Sequence, residues 1–326
     1  MSNSIHDDSP KPAESAAVLG VHSVDHFGLA VPNLGDARHF FEAFGLDVRS
    51  NGDSLELRTD GSEHRWAVVT SAPARYLTHV SFGAFPEDLA PLHARLLARG
   101  VDALSRDDGA IRFRDPDGVR IEILAASKSS PRAKSAPSNV NASSPEGTAA
   151  APLRSKAQPV RPRRLAHVMR FTSDVPRAIA FYCDVLGLRL SDKSGDVAFL
   201  HGAHGSDHHM IAFCGSAGPG FHHSAWDVGS VQEVGLGAMQ MARSGYGKDG
   251  WGLGRHVLGS NYFHYVRDPW NSYAEYSFDI DYVPAGLNWP AGDQHPDDGF
   301  YLWGPNPPAD FGVNYELVRP DNGIRT

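Results

Sequence analysis

The sequence has few cysteines, no long apolar run and no excess of basic charge. Its 326 residues include two cysteines, Cys183 and Cys214, too few for a disulfide framework. No segment approaches the roughly 18 consecutive apolar residues of a membrane-spanning helix. The first residues, MSNSIHDDSPKPAES, lack the apolar core of a signal peptide. These absences predict a globular protein of the reducing cytoplasm without membrane association.

The balance of charges excludes a further class of partner. Lys and Arg number 30 against 38 Asp and Glu, which gives a net charge of −8 at pH 7. Because nonspecific binding to nucleic acid requires a basic face, we expect no nucleic-acid partner. Histidine, in contrast, is abundant, with 17 residues in the chain. Since neutral imidazole is a frequent ligand of transition metals, this excess favours a metal site.

The composition divides the chain into two blocks. Residues 1–20 are polar and are predicted to form a disordered tail. Residues 126–163 are rich in Ser, Ala, Pro and basic side chains and have few large apolar ones. Such a segment buries too little apolar surface to offset the entropy of ordering, so we expect a flexible linker. It separates an N-terminal domain over residues 21–125 from a C-terminal domain over residues 164–326.

The two blocks resemble each other in sequence. One opens with VDHFGLAVPNLGDARHFFEAFGLDV and the other with LAHVMRFTSDVPRAIAFYCDVLGLRL. Each pattern predicts a strand with a His near its start, a polar turn and an amphipathic helix that ends at Gly. Each block closes with an Arg-Asp-Pro turn, and a Glu follows seven residues after that Asp. We interpret this as an internal duplication of a strand-helix-strand-strand-strand unit, one in each block.

One segment of the second block carries an unusual carboxylate. The sequence GRHVLGSNYFHYVRDPWNSYAE places His256 nine residues before Tyr265, and Glu275 ten residues after it. Its alternating pattern predicts two strands joined by a turn over residues 267–271. Glu275 then lies in the middle of a strand, among aromatic residues. A carboxylate there is costly to bury unless it is paired or bound to a cation, so Glu275 is predicted to have such a partner.

With these motifs the chain resembles the vicinal oxygen chelate superfamily (glyoxalase, bleomycin resistance and dioxygenase proteins) and, within it, the two-domain type I extradiol ring-cleaving dioxygenases. The resemblance covers residues 21–320 apart from the linker, and the His–Tyr–Glu spacing is its specific part. It implies an α+β fold of tandem βαβββ modules, in two domains that form incomplete barrels. It also implies an Fe(II)-dependent enzyme of aromatic catabolism that uses O₂ to cleave a catechol-type ring beside its vicinal diol.

The resemblance further implies the ligands of a metal. His167, His223 and Glu275, one from each of three strands, fall at the ligand positions, with His222 as the alternative to His223. Two imidazoles and one carboxylate on one face leave three positions open, which suits Fe(II) that binds a catechol and O₂. Mn(II) accepts the same ligands. The implied partners are this small-molecule substrate and O₂, and exposed strand edges are compatible with a homo-oligomer.

Three residues fall at the family's catalytic positions. His209 would take a proton from the catechol and later return it, and His208 is the alternative because the choice depends on one alignment register. His256 and Tyr265 would hydrogen-bond the oxygens of the substrate. A single histidine is more often structural than functional. The ligands, His256 and Tyr265 all arrive at family offsets, which reverses that expectation for them, whereas the loop around His209 is also compatible with a solvated turn.

The first block keeps part of the same pattern. His26, His79 and Glu122 lie at the offsets of the three ligands, but Arg112 replaces the tyrosine and Arg65 replaces the acid–base histidine. We therefore expect this block to be a structural half, with at most an adventitious metal.

Two other functions stay open from the sequence. One is a metal-dependent isomerase or transferase that needs no O₂, which the pairing of His256 with Tyr265 disfavours. The other is a binding protein that holds its ligand without turnover.

Overall fold

The first block folds into two consecutive units, each a strand, a helix and three strands. The computed structural model describes residues 18–107, 109–138, 146–149, 151–319 and 323–324. Most of the predicted tail, residues 1–17, lies outside the described residues. The elements of the first block are β1 (Ser23–Val31), α1 (Leu34–Phe44), β2 (Asp47–Asn51), β3 (Ser54–Arg58), β4 (Ala67–Ser71), β5 (Tyr76–Ala84), α2 (Leu89–Ala98), β6 (Ser105–Asp107), β7 (Ala110–Arg114) and β8 (Arg120–Ala125).

The second block repeats this order and adds a C-terminal extension. Its two units, with the two-residue strand β12 inserted, comprise β9 (Arg164–Thr172), α3 (Val175–Leu186), β10 (Leu188–Ser194), β11 (Val197–Gly202), β12 (Ser206–Asp207), β13 (Ile211–Gly215), β14 (Gly220–Asp227), α4 (Val231–Arg243), β15 (Trp251–His256), β16 (Tyr262–Arg267) and β17 (Tyr273–Phe278). The extension comprises β18 (Tyr282–Val283), β19 (Gly292–Gln294), α5 (Pro296–Gly299), β20 (Tyr301–Trp303), β21 (Val318–Arg319) and β22 (Gly323–Ile324).

The predicted α+β class and strand-helix-strand-strand-strand unit are confirmed, but each block holds two units where the sequence suggested one. The first units have helices with clear end signals. The Asn33 side chain accepts hydrogen bonds at the start of α1, and Gly45 ends that helix with φ 100°. Asp174 and Gly187 do the same for α3. Helix α2 has no side-chain cap at its start and no glycine at its C-cap, so the second unit of the first block carries a weaker sequence signal. Helix α4 is capped by the Ser230 side chain at its start but also ends without glycine.

Each block forms its own sheet, and the centre of the second sheet carries the site. The eight-stranded sheet has the order β2-β3-β4-β1-β5-β8-β7-β6. The ten-stranded sheet has the order β19-β10-β11-β13-β9-β14-β17-β16-β15-β20. In the second sheet Ala225 of β14 pairs with His167 of β9 on one side and with Glu275 of β17 on the other. On these separate sheets we base our proposal that the domains span residues 21–125 and 164–326.

Contacts between the blocks are aromatic and ionic. Tyr276 stacks on Phe44 with ring centroids 3.9 Å apart, and its hydroxyl donates to the Phe44 carbonyl at 2.8 Å. The fully buried Arg170 of the second block pairs with the Asp115 carboxylate of the first. A buried charge is costly unless it is paired. This buried ion pair joins the two blocks and favours one fixed arrangement.

The described parts of residues 126–163 lie against both blocks. The Ser129 and Ser130 hydroxyls donate to the carbonyls of Val24 and His22 at 3.0 and 2.9 Å. The Ser138 N–H donates to the Gly229 carbonyl at 2.7 Å. Residues 139–145 and 150 lie outside the described residues. The linker expectation considered apolar burial alone, whereas these small polar residues are held by hydrogen bonds to strand ends. No helix in the described residues is long and apolar enough to cross a membrane.

Candidate active site

Three side chains meet on one face of the second sheet. His167 and Glu275 both lie opposite Ala225, and His223 lies two residues before Ala225, so all three share its face. The Nε2 atoms of His167 and His223 are 3.2 Å apart. Oε2 of Glu275 is 3.4 Å from Nε2 of His167 and 3.3 Å from Nε2 of His223. The predicted ligands therefore converge as a nearly equilateral triangle of donor atoms.

This triangle fits one face of the coordination shell of a divalent metal. Ligand atoms at right angles on an ion with bonds of about 2.1 Å lie about 3.0 Å apart, close to the observed spacing. Within the described residues Glu275 is fully buried, and its Oε2 has no hydrogen bond of ordinary geometry. A buried carboxylate oxygen without such a bond is costly unless a cation faces it. The three residues therefore suit a metal ion.

The charge state of Glu275 agrees with binding of a metal ion. Burial by itself would raise the pKa of its carboxyl, but the imidazoles of His167 and His223 outweigh burial and hold the pKa below its ordinary value. Burial lowers the pKa of His223 to about 4, so its imidazole is neutral at pH 7. The site thus presents a carboxylate and a neutral imidazole lone pair, which are the forms that bind a metal.

Asn261 holds the carboxylate in place, and sequence reasoning missed it. Its Nδ2 donates to Oε1 of Glu275 at 2.9 Å and to the Ser277 hydroxyl at 3.0 Å. Since Oε1 is occupied in this way, Oε2 turns towards the two histidines. Asn261 directly precedes β16, within the segment that the sequence singled out, but its polar character alone gave no reason to select it.

His223, rather than the alternative His222, points its Nε2 at Glu275. The two neighbouring imidazoles touch through their Nδ1 atoms at 2.7 Å. His222 packs between aromatic rings, with centroids 4.9 Å from Phe311 and 5.1 Å from Phe171. This geometry supports His223 over His222 as the metal ligand.

His256 and Tyr265 form a hydrogen-bonded pair next to the triangle. Nδ1 of His256 lies 3.0 Å from the Phe300 carbonyl, which can only accept, so Nδ1 carries the proton. Nε2 is then the acceptor of the Tyr265 hydroxyl at 3.0 Å. Burial and the charge of Glu275 raise the pKa of Tyr265 well above its ordinary value, so the hydroxyl stays a neutral donor. The Tyr265 ring lies 5.1 Å from that of His223.

His209 reaches the same place from a loop. It lies between β12 and β13. Its ring centroid is 4.1 Å from that of His167. Burial holds the pKa of His209 well below its ordinary value, so the imidazole is neutral. His208, the alternative, instead hydrogen-bonds Asp192 at 2.8 Å, away from the triangle.

A cavity of about 440 Å³ opens over these side chains. The candidate residues His167, His209, His223, His256, Tyr265 and Glu275 line it. Its apolar walls include Met169, Val197, Phe199, Ala212, Leu258, Phe300, Pro307, Pro308 and Phe311. Arg255, a candidate for binding a substrate carboxylate, donates to the Ser260 carbonyl and the Tyr262 hydroxyl and does not line the cavity. Phe300 and Phe311 belong to the C-terminal extension, which thus closes one side of the site.

The equivalent position in the first block is filled by protein groups. Glu122 lies opposite Ser81, as Glu275 lies opposite Ala225. The Ser81 hydroxyl donates to Glu122 Oε2 at 2.8 Å and lies 3.3 Å from Nε2 of His26. Arg112, opposite Glu122 in the register where Tyr265 faces Glu275, bonds Glu122 Oε1 at 2.7 Å. Here a guanidinium supplies the cation that faces the carboxylate.

The other residues singled out in these positions have structural contacts. Nδ1 of His79 lies 2.8 Å from the Thr78 hydroxyl, and Arg65 lies 3.7 Å from the Glu56 carboxylate. Asp268 accepts hydrogen bonds from the N–H groups of Trp270 and Ser272. It therefore caps the turn.

Fold and site together define a protein of paired strand-helix-strand-strand-strand units with a two-histidine, one-carboxylate centre. The chain belongs to the Glyoxalase/Bleomycin resistance protein/Dioxygenase superfamily, whose family model matches residues 23–123 and 164–276. The superfamily indicated by the sequence motifs is confirmed.

Individual relatives extend over nearly the whole chain. The chain is 48% identical over 301 residues to metapyrocatechase 2 of Cupriavidus necator, which covers 91% of this chain and 93% of that protein. It is 25% identical over 285 residues to the manganese-dependent 2,3-dihydroxybiphenyl 1,2-dioxygenase of Geobacillus genomosp. 3, covering 81% and 87%. The solved 2,2',3-trihydroxybiphenyl 1,2-dioxygenase of Sphingomonas wittichii strain RW1 matches with a TM-score of 0.68 and 19% identity, over 88% and 100% of the two chains. At that identity the structural match supports the fold alone.

Proposed function

We propose that this protein is an Fe(II)-dependent extradiol dioxygenase that cleaves a catechol-type ring beside its vicinal diol with O₂. One observation carries the proposal: the triangle of His167, His223 and Glu275 lies at the base of an apolar cavity, among three polar catalytic candidates. The 48% identity to metapyrocatechase 2 over nearly the full length supports the same activity. Mn(II) fits the same donor set.

The triad would hold the metal, and the remaining polar groups would handle protons. When bound, the metal supplies the coordination positions at which the diol and O₂ meet and the redox path between them. The neutral His209 would accept a proton from a substrate hydroxyl at Nε2 and later return it. The Tyr265 hydroxyl, which donates to Nε2 of His256 in the structure, would turn to a substrate oxygen when the substrate is bound. The apolar walls would hold the ring and exclude water.

The lining of the cavity points to uncharged catechols. Within the described residues no Arg or Lys lines it, and Asp196 is the one ionisable acid besides Glu275. A substrate carboxylate would meet no compensating cation there and would lose its hydration. The volume of about 440 Å³ falls within the roughly 300–1,000 Å³ typical of small-molecule sites, which leaves room for ring substituents. We propose catechol and its apolar alkyl or aryl derivatives as the substrate class.

O₂ uptake by the metal-loaded protein tests the proposal. Anaerobically purified protein is loaded with Fe(II), or with Mn(II) in parallel, and mixed with catechol, 3-methylcatechol, 3-phenylcatechol or a carboxylated catechol. We expect stoichiometric O₂ uptake and a yellow ring-opened product with the uncharged diols, and little with the carboxylated one. Glu275→Gln should abolish uptake, whereas the matched Glu122→Gln should retain it.

The two other functions considered from the sequence predict different results. Metal binding without O₂ uptake on any diol would refute ring cleavage. Conversion of a substrate without O₂ uptake would then favour an isomerase or transferase, and binding without turnover would favour a binding protein.

A further inference from the structure

A buried chain of polar groups runs away from His209. Nδ1 of His209 lies 3.0 Å from Nδ1 of His208. Nε2 of His208 lies 2.8 Å from Oδ2 of Asp192. All three residues are buried, and His208 has no exposed surface. Neither His208 nor Asp192 lines the cavity. The proposed reaction assigns them no task, and their burial is offset by the hydrogen bonds that link them to each other and to His209.

The end of this chain at Asp192 can only accept hydrogen bonds. Oδ2 of Asp192 also accepts the Trp289 indole N–H at 3.0 Å, and Oδ1 accepts the Gly292 N–H at 2.7 Å. Burial would raise the pKa of Asp192, but its hydrogen bonds, led by that from His208, hold the pKa below its ordinary value. The carboxylate is therefore ionised, and Nε2 of His208 must carry the proton that it donates to Oδ2.

The tautomer of each imidazole then follows from its neighbour. When this proton on Nε2 is its only ring proton, His208 offers a lone pair at Nδ1. This lone pair can accept only if Nδ1 of His209 carries a proton. A neutral His209 with a proton on Nδ1 has a free lone pair on Nε2. His209 lines the cavity, so its unprotonated Nε2 is positioned where a substrate hydroxyl would bind.

We propose that His208 and Asp192 are positioning residues that hold His209 in the tautomer with a free Nε2. The inference rests on the proposed function, in which His209 accepts the substrate proton. The opposite tautomer of His209 would place an N–H where the substrate needs an acceptor, so proton transfer would fail although the metal triad stayed intact. Trp289 and Gly292, which hydrogen-bond Asp192, belong to the C-terminal extension. The extension thereby helps to hold the chain of His209, His208 and Asp192 in place.

Two substitutions at His208 separate tautomer control from simple packing. In His208→Asn the amide oxygen can take the place of Nδ1 and accept the proton of His209. In His208→Leu the size is similar and no acceptor remains. We expect His208→Leu to lower kcat for catechol by about 10–100-fold, the usual range for groups that orient a functional histidine. His208→Asn should restore kcat towards the wild-type value, and both variants should retain the wild-type affinity for Mn(II).

A direct readout is independent of turnover. In wild-type protein loaded with diamagnetic Zn(II), ¹⁵N NMR of the His209 side chain should show a protonated Nδ1 and an unprotonated Nε2. His208→Asn should keep this pattern, and His208→Leu should lose it. An Nε2-protonated His209 in the wild type would overturn the proposal.

Two results with the His208 variants would also overturn the proposal. One is equal kcat in the Leu and Asn variants. The other is a matching loss of Mn(II) affinity in both, which would reveal a packing role alone. A wild-type protein that consumes no O₂ would instead refute the proposed function, and the NMR measurement would still decide the tautomer.

Discussion

Replacement of Glu275 by Gln should remove most of the affinity for a metal while keeping the shape of the site. The Oε2 atom lies 3.3 to 3.4 Å from both imidazoles and is fully buried. Among the described residues no other carboxylate joins this cluster. An amide would therefore leave the charge of the bound cation without its buried counter-charge. Breaking a buried ionic interaction costs about 3–5 kcal/mol. Even the lower value corresponds to at least ~100-fold weaker binding.

Thermal unfolding with added Mn(II) measures this loss. At a metal concentration about 100 times the wild-type Kd, binding stabilises the folded protein by about 2.7 kcal/mol. For a chain of 326 residues that raises Tm by about 4 °C. At the same concentration the Glu275→Gln variant would be half saturated, and its stabilisation would be about 0.4 kcal/mol, or about 1 °C.

Glu122→Gln is the matched control. It makes the same chemical change at the equivalent position of the first sheet, where Arg112 already faces the carboxylate. Its metal-dependent rise in Tm should equal that of the wild type. A full rise in Glu275→Gln, or a lost rise in Glu122→Gln, would refute the assignment of the metal to the second sheet alone.

Two further predictions concern groups outside the cavity. Burial lowers the pKa of His264 to about 4, against about 6.5 in the unfolded chain, so protonation favours unfolding as the pH falls below about 6.5. Urea unfolding at pH 8 and pH 5 should show about 2 kcal/mol less acid destabilisation in His264→Leu than in the wild type, and equal pH dependence would contradict this. Arg112→Met combined with Ser81→Ala should free His26, His79 and Glu122 to bind a metal. The metal content should then rise from one to two equivalents per chain. A value that stays at one would show that other groups exclude the metal.

The fold could be predicted because its signals are local. Capped helices with Asn33 or Asp174 at the start and a glycine at the end made the duplication visible. The doubling of units was harder to recognise, because α2 has no side-chain cap and neither α2 nor α4 ends at a glycine. The hydrogen bonds of the described segment after residue 125 could not be predicted for a similar reason. Its serine hydroxyls are held by backbone carbonyls that become available only once the strands form.

The candidate site was predictable to the extent that it depends on strand register. His167, His223 and Glu275 converge because pairing and alternation place them on one face. Other parts of the site depend on how loops fold over that face, which neither spacing nor periodicity encodes. These parts are Asn261, the cavity walls formed by Phe300 and Phe311, and the hydrogen-bonded chain through His208. The role of each residue stays a prediction until the variants are measured.

The guanidinium of Arg112 has a consequence for how proteins of this architecture are compared. The first sheet keeps two histidines and a glutamate in the register of the metal triad, and a basic side chain faces that glutamate. In a duplicated protein, a substitution beside the ligands can thus prevent metal binding at one of the two sites although the ligand residues are still present. Counting ligand triplets in related sequences would then overestimate the number of metals. The residue opposite the glutamate, arginine or tyrosine, is the more informative position to read.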